Sequence, residues 1–156
     1  MDYHIELMTE KDWRDVSYIY AAGIKTGIAT FQQEIPEWAD WDYGHCKDCR
    51  LVARENDVIV GWAALSPVSS RCVYSGVAEV SIYVDPSYQS QGIGYQLLTE
   101  LVSEAENNGY WMLQASIIRK NQKSIQLHER CGFRVVGYRA RLGQMPDGTW
   151  HDVILV

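Results

Sequence analysis

The chain has 156 residues, 47% of them hydrophobic and 22% charged, with a formal net charge of −6 at pH 7. That length suffices for one domain, residues 1–156, with a proper core. The acidic balance excludes nucleic acid as the main partner, because a phosphate backbone requires clustered Lys and Arg, and the longest basic cluster is Arg119-Lys120 followed by Lys123. No apolar run reads as a signal peptide or approaches a membrane span, so no membrane partner is expected and the expected location is cytoplasmic.

In chain order, Tyr3 to Leu7 alternates apolar and polar residues as an edge strand does. Thr9 to Asp12 resembles a capping box, and Trp13, Val16, Ile19 and Tyr20 then keep to one face of a helix ending around Ala21 to Gly23. A loop carries Phe31. Pro36 suits the first turn of a second helix, with Glu37 at its positive end and Trp38, Trp41 and His45 on one face. Leu51 to Ala53 and Val58 to Leu65 read as a hairpin around Glu55-Asn-Asp57, and Ser66 to Gly76 as a polar loop holding Arg71 and Tyr74. Val80, Ile82 and Val84 alternate along a strand that Asp85-Pro86 ends. A helix follows to Glu106, closed by Asn107-Asn-Gly109; then come a strand from Trp111 to Ile118 and a helix from Gln122 to Arg130 closed by Cys131-Gly132. A strand from Phe133 to Arg141, a turn at Pro146-Asp-Gly148 and a strand from Trp150 to Val156 complete the chain. The order β-α-α-β-β-β-α-β-α-β-β favours a mixed α/β sheet over a doubly wound one.

The chemistry gathers at Ala78 to Leu98. A loop with two glycines that follows a strand and opens a helix suits phosphate, since the backbone can come close and the free N–H groups of the first turn face the anion. A dinucleotide fingerprint needs a third glycine where Leu97 stands, and a P-loop needs Gly-Lys-Ser/Thr, so what remains is Gln89-x-x-Gly92-x-Gly94. This stretch resembles the pyrophosphate-binding motif of the GNAT acyl-CoA N-acetyltransferase superfamily. A second stretch, Asn121-x-x-Ser124-x-x-x-His128 ahead of Gly132-Phe133, resembles that superfamily's next βα unit, with His128 where many members have Tyr. Histidine there is similar to the phosphinothricin and methionine-sulfoximine acetyltransferase branch, as are Thr30-Phe31, Pro36-x-Trp38, Glu79 within AEVSIYVDP, and Trp150-His-Asp-Val153.

The resemblance implies a mostly antiparallel mixed sheet of about seven strands flanked by about four helices. It implies acetyl-CoA entering where the Glu79 strand splays from the Trp111 strand, and a homodimer as a common state. Gln89, Ser90, Gln91, Gly92, Ile93, Gly94 and Tyr95 would cradle the pyrophosphate. The backbone of Ile82, Tyr83 and Val84, with Asn121 and Ser124, would hold the pantetheine arm. Glu79 would be the general base and His128 the general acid. Aminolysis of a thioester needs such a base, because an amine is nucleophilic only when neutral. Partial burial of a carboxylate disfavours its charged form, the right direction for a base, and histidine donates a proton near neutral pH. The plainer alternatives are a solvated Glu79, a surface His128 and a helix cap at Asn121.

Arg71 is the candidate for a substrate carboxylate, with Phe31 and Tyr74 as walls; His151 and Asp152 could line the acceptor site, or His151 could simply pack. Cys46-Lys-Asp-Cys49 beside His45 has half-zinc or redox spacing, but a structural zinc needs four ligands and Cys72 and Cys131 stand singly, so ordinary cysteines and no metal are expected. The substrate expected is a small-molecule primary amine, an amino acid or analogue. The rivals are a polyamine or protein N-terminus as acceptor, and a non-catalytic acyl-CoA sensor that would need neither Glu79 nor His128.

Overall fold

A computed structural model describes residues 3–156. Among these residues, eight strands form two sheets. Strands β1 (Tyr3–Leu7), β2 (Leu51–Glu55), β3 (Val58–Pro67), β4 (Val77–Val84) and β5 (Met112–Gln114) lie in that order in the first. Strands β6 (Ser116–Ile118), β7 (Gly137–Gln144) and β8 (Trp150–Leu155) form the second, with β8 in the middle. Every pairing is antiparallel except β4 with β5. The mixed, mostly antiparallel α/β architecture is therefore as expected, but the strand read as Trp111 to Ile118 is two strands. Ala115 parts them, pairing through its backbone with Val156 while β5 stays with β4 and β6 goes to β8.

Helices α1 (Trp13–Lys25), α2 (Trp38–Gly44), α3 (Ile93–Asn107) and α4 (Gln122–Arg130) cover the sheet. β3 is the middle of the sandwich: from Val60 to Leu65 it is buried on both faces, as a strand covered by helices on each side must be. Val16, Ile19 and Tyr20 of α1 meet Trp62, Ala64 and Trp41 on one face, while Leu97, Leu98 and Leu101 of α3 meet Val60, Ala63 and Ala78 on the other. Each of these leucines is fully buried, a gain of about 1.5–3 kcal/mol apiece. Gly61 lets α3 approach, since a Cβ there would lie 2.9 Å from Leu97 Cδ1.

Three boundaries differ from the sequence reading. α1 runs on through Gly23 to Lys25, because this glycine serves a close approach rather than a stop: its Cβ would lie 2.6 Å from the Tyr83 ring. α2 begins at Trp38, not Pro36; Glu37 stays extended and contributes only its carbonyl, to the N–H groups of Asp40 and Trp41. The last hairpin starts at Gly137 rather than Phe133, because the chain there is still closing α4. Gly132 is left-handed (φ 95°) and the Phe133 N–H donates to the His128 carbonyl at 3.0 Å.

Candidate active site

The two sheets part at one point. β4 and β5 pair only through Val77, Ala78 and Glu79, the last opposite Gln114. Beyond Glu79 the edge of β4 from Val80 to Val84 has no strand on that side. The opening is a cleft of about 390 Å³ whose lining includes Glu79, Ile82, Tyr83, Asn121, Ser124 and His128. Phe31 reaches it from the α1–α2 loop.

At the far end of β4 the chain makes a 3₁₀ turn, Pro86–Tyr88, fixed by the Ser87 N–H donating to Asp85 Oδ1 at 2.9 Å. Gln89 is extended, Ser90 is left-handed (φ 63°) and exposed Gly92 is left-handed (φ 83°) as the cap of α3. A Cβ at Gly92 would meet nothing within 4 Å, so the space above it is open. The first helical bond runs from the Gln96 N–H to the Gly92 carbonyl at 3.1 Å. The N–H groups of Ile93, Gly94 and Tyr95 precede it and point out at the positive end of the helix. The Arg130 guanidinium lies 5.0 Å above the Tyr95 ring, a cation beside the same loop that sequence reading missed.

Glu79 is half-buried where the sheets part. Its Oε1 accepts from Gln114 Nε2 (3.1 Å) and Ser116 Oγ (3.3 Å), and among the described residues Oε2 has no donor. Gln114 and Ser116 were missed as well. Their signal is the alternation of polar Gln114 and Ser116 with Leu113, Ala115 and Ile117 in a segment read simply as apolar.

The structure buries His128, which is 1% exposed and packs edge-on against Phe133 at 5.1 Å, so the surface alternative is not met. Its Nδ1 lies 2.7 Å from the Ser124 carbonyl, which can only accept, so Nδ1 carries the proton. Nε2 is bare and, among the described residues, has no partner. Burial holds the ring below its ordinary pKa, the carbonyl of Ser124 working against that. In this state Nε2 has no proton to donate. Asn121 is both cap and lining residue: its Oδ1 accepts from the Ser124 N–H at 3.4 Å.

A second cavity, of about 550 Å³, opens on Glu79 from the other direction, between the end of β3 and the start of β7. Ser66, Gln114, Ser116, Tyr138 and Arg139 are among its walls. Arg71 and Tyr74 are not: both are exposed, and the Arg71 guanidinium lies over the Tyr74 ring at 5.7 Å. Arg139, which sequence reading passed over, is the arginine that shares a cavity with Glu79.

His151 is buried and packs 6.2 Å from Phe31, as the plainer reading of it held. Asp152 is structural too. β7 slips register between Arg139 and Gly143, Arg141 there is left-handed (φ 54°), and its N–H donates to Asp152 Oδ1 at 2.8 Å. That bond, with Arg119 on Oδ2 at 3.3 Å, holds the carboxyl below its usual range. Phe31 sits on Gly143, where a Cβ would collide with its ring. Cys46 and Cys49 are free, and burial pushes the Cys49 thiol up to about 12, away from reactivity.

Residues 11–133 match the family model described as the acetyltransferase (GNAT) family. The chain is 35% identical over 103 residues to an L-amino acid N-acyltransferase of Escherichia coli, a match covering 66% of this chain and 59% of that one, so it spans about three fifths of that relative. It is 32% identical over 150 residues to a phosphinothricin N-acetyltransferase of Streptomyces viridochromogenes, covering 93% and 81%. Its fold superposes on a GNAT superfamily phosphinothricin acetyltransferase from Sinorhizobium meliloti, in complex with AcCoA, with a TM-score of 0.88 and 27% identity over 99% of this chain and 86% of that one.

Proposed function

Because the chain belongs to the GNAT acetyltransferase family, we propose that it moves the acetyl group of acetyl-CoA to the primary amine of a small molecule, an amino acid or an analogue of the phosphinothricin or methionine-sulfoximine type. The single observation that carries this reading is Glu79, a carboxylate with one free oxygen, placed where the sheets part and lining a cavity on each side. The donor enters through the cleft toward α4, and the amine arrives from the cavity toward β7.

The loop before α3 fits the donor: an open, left-handed Gly92 and three unspent N–H groups make a cradle for a pyrophosphate, which Arg130 supplements. The unpaired edge at Ile82, Tyr83 and Val84 pairs with the pantetheine amides as an added strand would, and Asn121 and Ser124 face them from α4. Acetyl-CoA, when bound, supplies an activated acyl carbonyl and a thiolate leaving group.

Proton accounting gives Glu79 and His128 separate tasks. An amine that arrives as ammonium sheds two protons on becoming an amide; the thiolate takes one and water takes the other. Glu79 removes the first through Oε2, directly or by way of a water. His128 relays the second. Its bare Nε2 must accept a proton within each turnover before it can pass one to sulfur, and burial makes the charged ring short-lived.

Incubation of the protein with acetyl-CoA and a panel of amino acids, polyamines and peptides, read by mass spectrometry, tests this. Acetylated amino acids are expected. Acetylation confined to polyamines or peptide N-termini, or acetyl-CoA binding without turnover, would replace the proposal by one of its rivals.

A further inference from the structure

The cavity on the β7 side of Glu79 holds one carboxylate and one guanidinium that ignore each other. Glu79 takes its two hydrogen bonds from Gln114 and Ser116, not from Arg139. Among the described residues, Arg139 has no ion pair, no side-chain hydrogen bond and no aromatic ring beneath it. Six of the nine arginines are occupied, and of the other three, Arg14, Arg134 and Arg139, only Arg139 lines a cavity beside Glu79. Arg50, Arg54 and Arg119 bind carboxylates, while Arg71, Arg130 and Arg141 lie over Tyr74, Tyr95 and Trp150. An unpaired guanidinium on a cavity wall is a binding group for an anion the chain does not itself provide.

From this geometry we infer that Arg139 is the carboxylate anchor of the acceptor site and selects α-amino acids over plain amines. An α-amino acid carries its ammonium and its carboxylate on one carbon, the same pair of opposite charges that Glu79 and Arg139 complement across a single cavity. The volume, about 550 Å³, has room for a ligand of that size. Pro67, Val68 and Val136 give an apolar wall for the methylene part of the substrate side chain.

Arg139 is exposed, as Arg71 is, but its backbone position is fixed. It is the last residue of β7 in register with β8, opposite Val153, before the slip that the Asp152–Arg141 bond pins. Arg71, the arginine that sequence alone offers for this task, lies outside the cavity.

This inference rests on the acceptor cavity proposed above, so its test is separated from turnover. An N-acetylated amino acid keeps the carboxylate but has no amine to react. Isothermal titration of the protein, with CoA present, compares N-acetyl-L-methionine with its carboxamide. The wild type is expected to prefer the acid by roughly tenfold or more, the scale of a charge-assisted hydrogen bond. Arg139→Gln should abolish the preference, Arg139→Lys should keep part of it, and Arg71→Gln should leave it intact, with melting curves showing each variant folded. The inference is overturned if the wild type shows no preference or binds neither ligand, if Arg139→Gln retains the preference, or if Arg71→Gln alone removes it. Failure of the amine panel with this binding pattern intact would retire the acetyl-transfer reading and leave the carboxylate site standing.

Discussion

The two sides of Glu79 are built differently. Toward α3 and α4 the site is mostly backbone from one continuous stretch, residues 80 to 95: an unpaired strand edge, a turn and the first N–H groups of a helix. Toward β7 it is side chains from three distant stretches, with Ser66 on β3, Gln114 and Ser116 on either side of the sheet break, and Tyr138 and Arg139 on the last hairpin. Backbone groups grip whatever presents amides and phosphates and change little with sequence. Side chains drawn from several elements can be exchanged one at a time, so the second side is where specificity can drift while the first is retained.

The hardest test of this division is its shared residue. Glu79→Gln keeps the two hydrogen bonds to Oε1 within reach but cannot take a proton, so turnover should fall by about 10²–10⁴-fold with acetyl-CoA binding intact. The defect should shrink as pH rises and solvent supplies neutral amine. A folded Glu79→Gln enzyme with a wild-type pH–rate profile would remove Glu79 from the role of base.

A matched pair of glycine substitutions tests whether the sides are separable. Gly92→Val places a branched side chain over the open cradle and should raise the KM for acetyl-CoA about tenfold, ~1.4 kcal/mol, with some loss of stability because the position is left-handed. Gly137→Val adds a branched side chain on the wall of the β7-side cavity, where a Cβ would meet nothing within 4 Å, and should raise the KM for the amine several-fold, about 1 kcal/mol, with little change for acetyl-CoA. Steady-state kinetics with each substrate varied in turn reads both. If either substitution moves both constants equally, the two-sided division is wrong.

The smallest effect is in stability. An unfolded histidine titrates near pH 6.5, and burial holds His45 and His128 lower in the fold. Between those values the unfolded chain binds more protons than the folded one, so stability is intact above about pH 6.5 and declines as pH falls below it. The carboxylates held low by hydrogen bonds and ion pairs, Glu6, Asp42, Asp147 and Asp152, lose their contributions only in more acidic solution. Calorimetry between pH 7.5 and 5 should show a falling Tm, with a shallower slope in His128→Phe. An unchanged slope would mean that His128 does not titrate through unfolding.

What sequence revealed follows the same division. Gln89-x-x-Gly92-x-Gly94 is legible because cradle and motif are one local object, and the glycine that must be left-handed is left-handed. The break at Ala115 is not legible, because Met112 to Gln114 and Ser116 to Ile118 are each ordinary strand residues. Only their partners, β4 for one and β8 for the other, make them separate strands. Arg71 stands near the Glu79 strand along the chain but is not among the residues lining either cavity. Arg139 lies 60 residues from Glu79 in sequence and meets it only through the pairing of β7 with β8. Gly23 shows the converse error, a glycine taken for a helix stop whose purpose is room for Tyr83.

The parting of β4 from β5 leaves a strand edge inside the molecule rather than at its rim. Peripheral edges are usually guarded against pairing with other chains by charges, bulges or prolines. From Val80 to Val84 this one offers valine, isoleucine and tyrosine among its five residues. What stands across from it are Asn121, Ser124 and His128, on the far wall of the cleft. A ligand laid along it, as proposed for acetyl-CoA, would complete the hydrogen bonding of a sheet that folding left unfinished, and resistance to heat would become a function of supply. At a ligand concentration one hundred times Kd the linkage adds about 2.7 kcal/mol, and in cells short of that ligand the same protein would be the more easily unfolded and degraded.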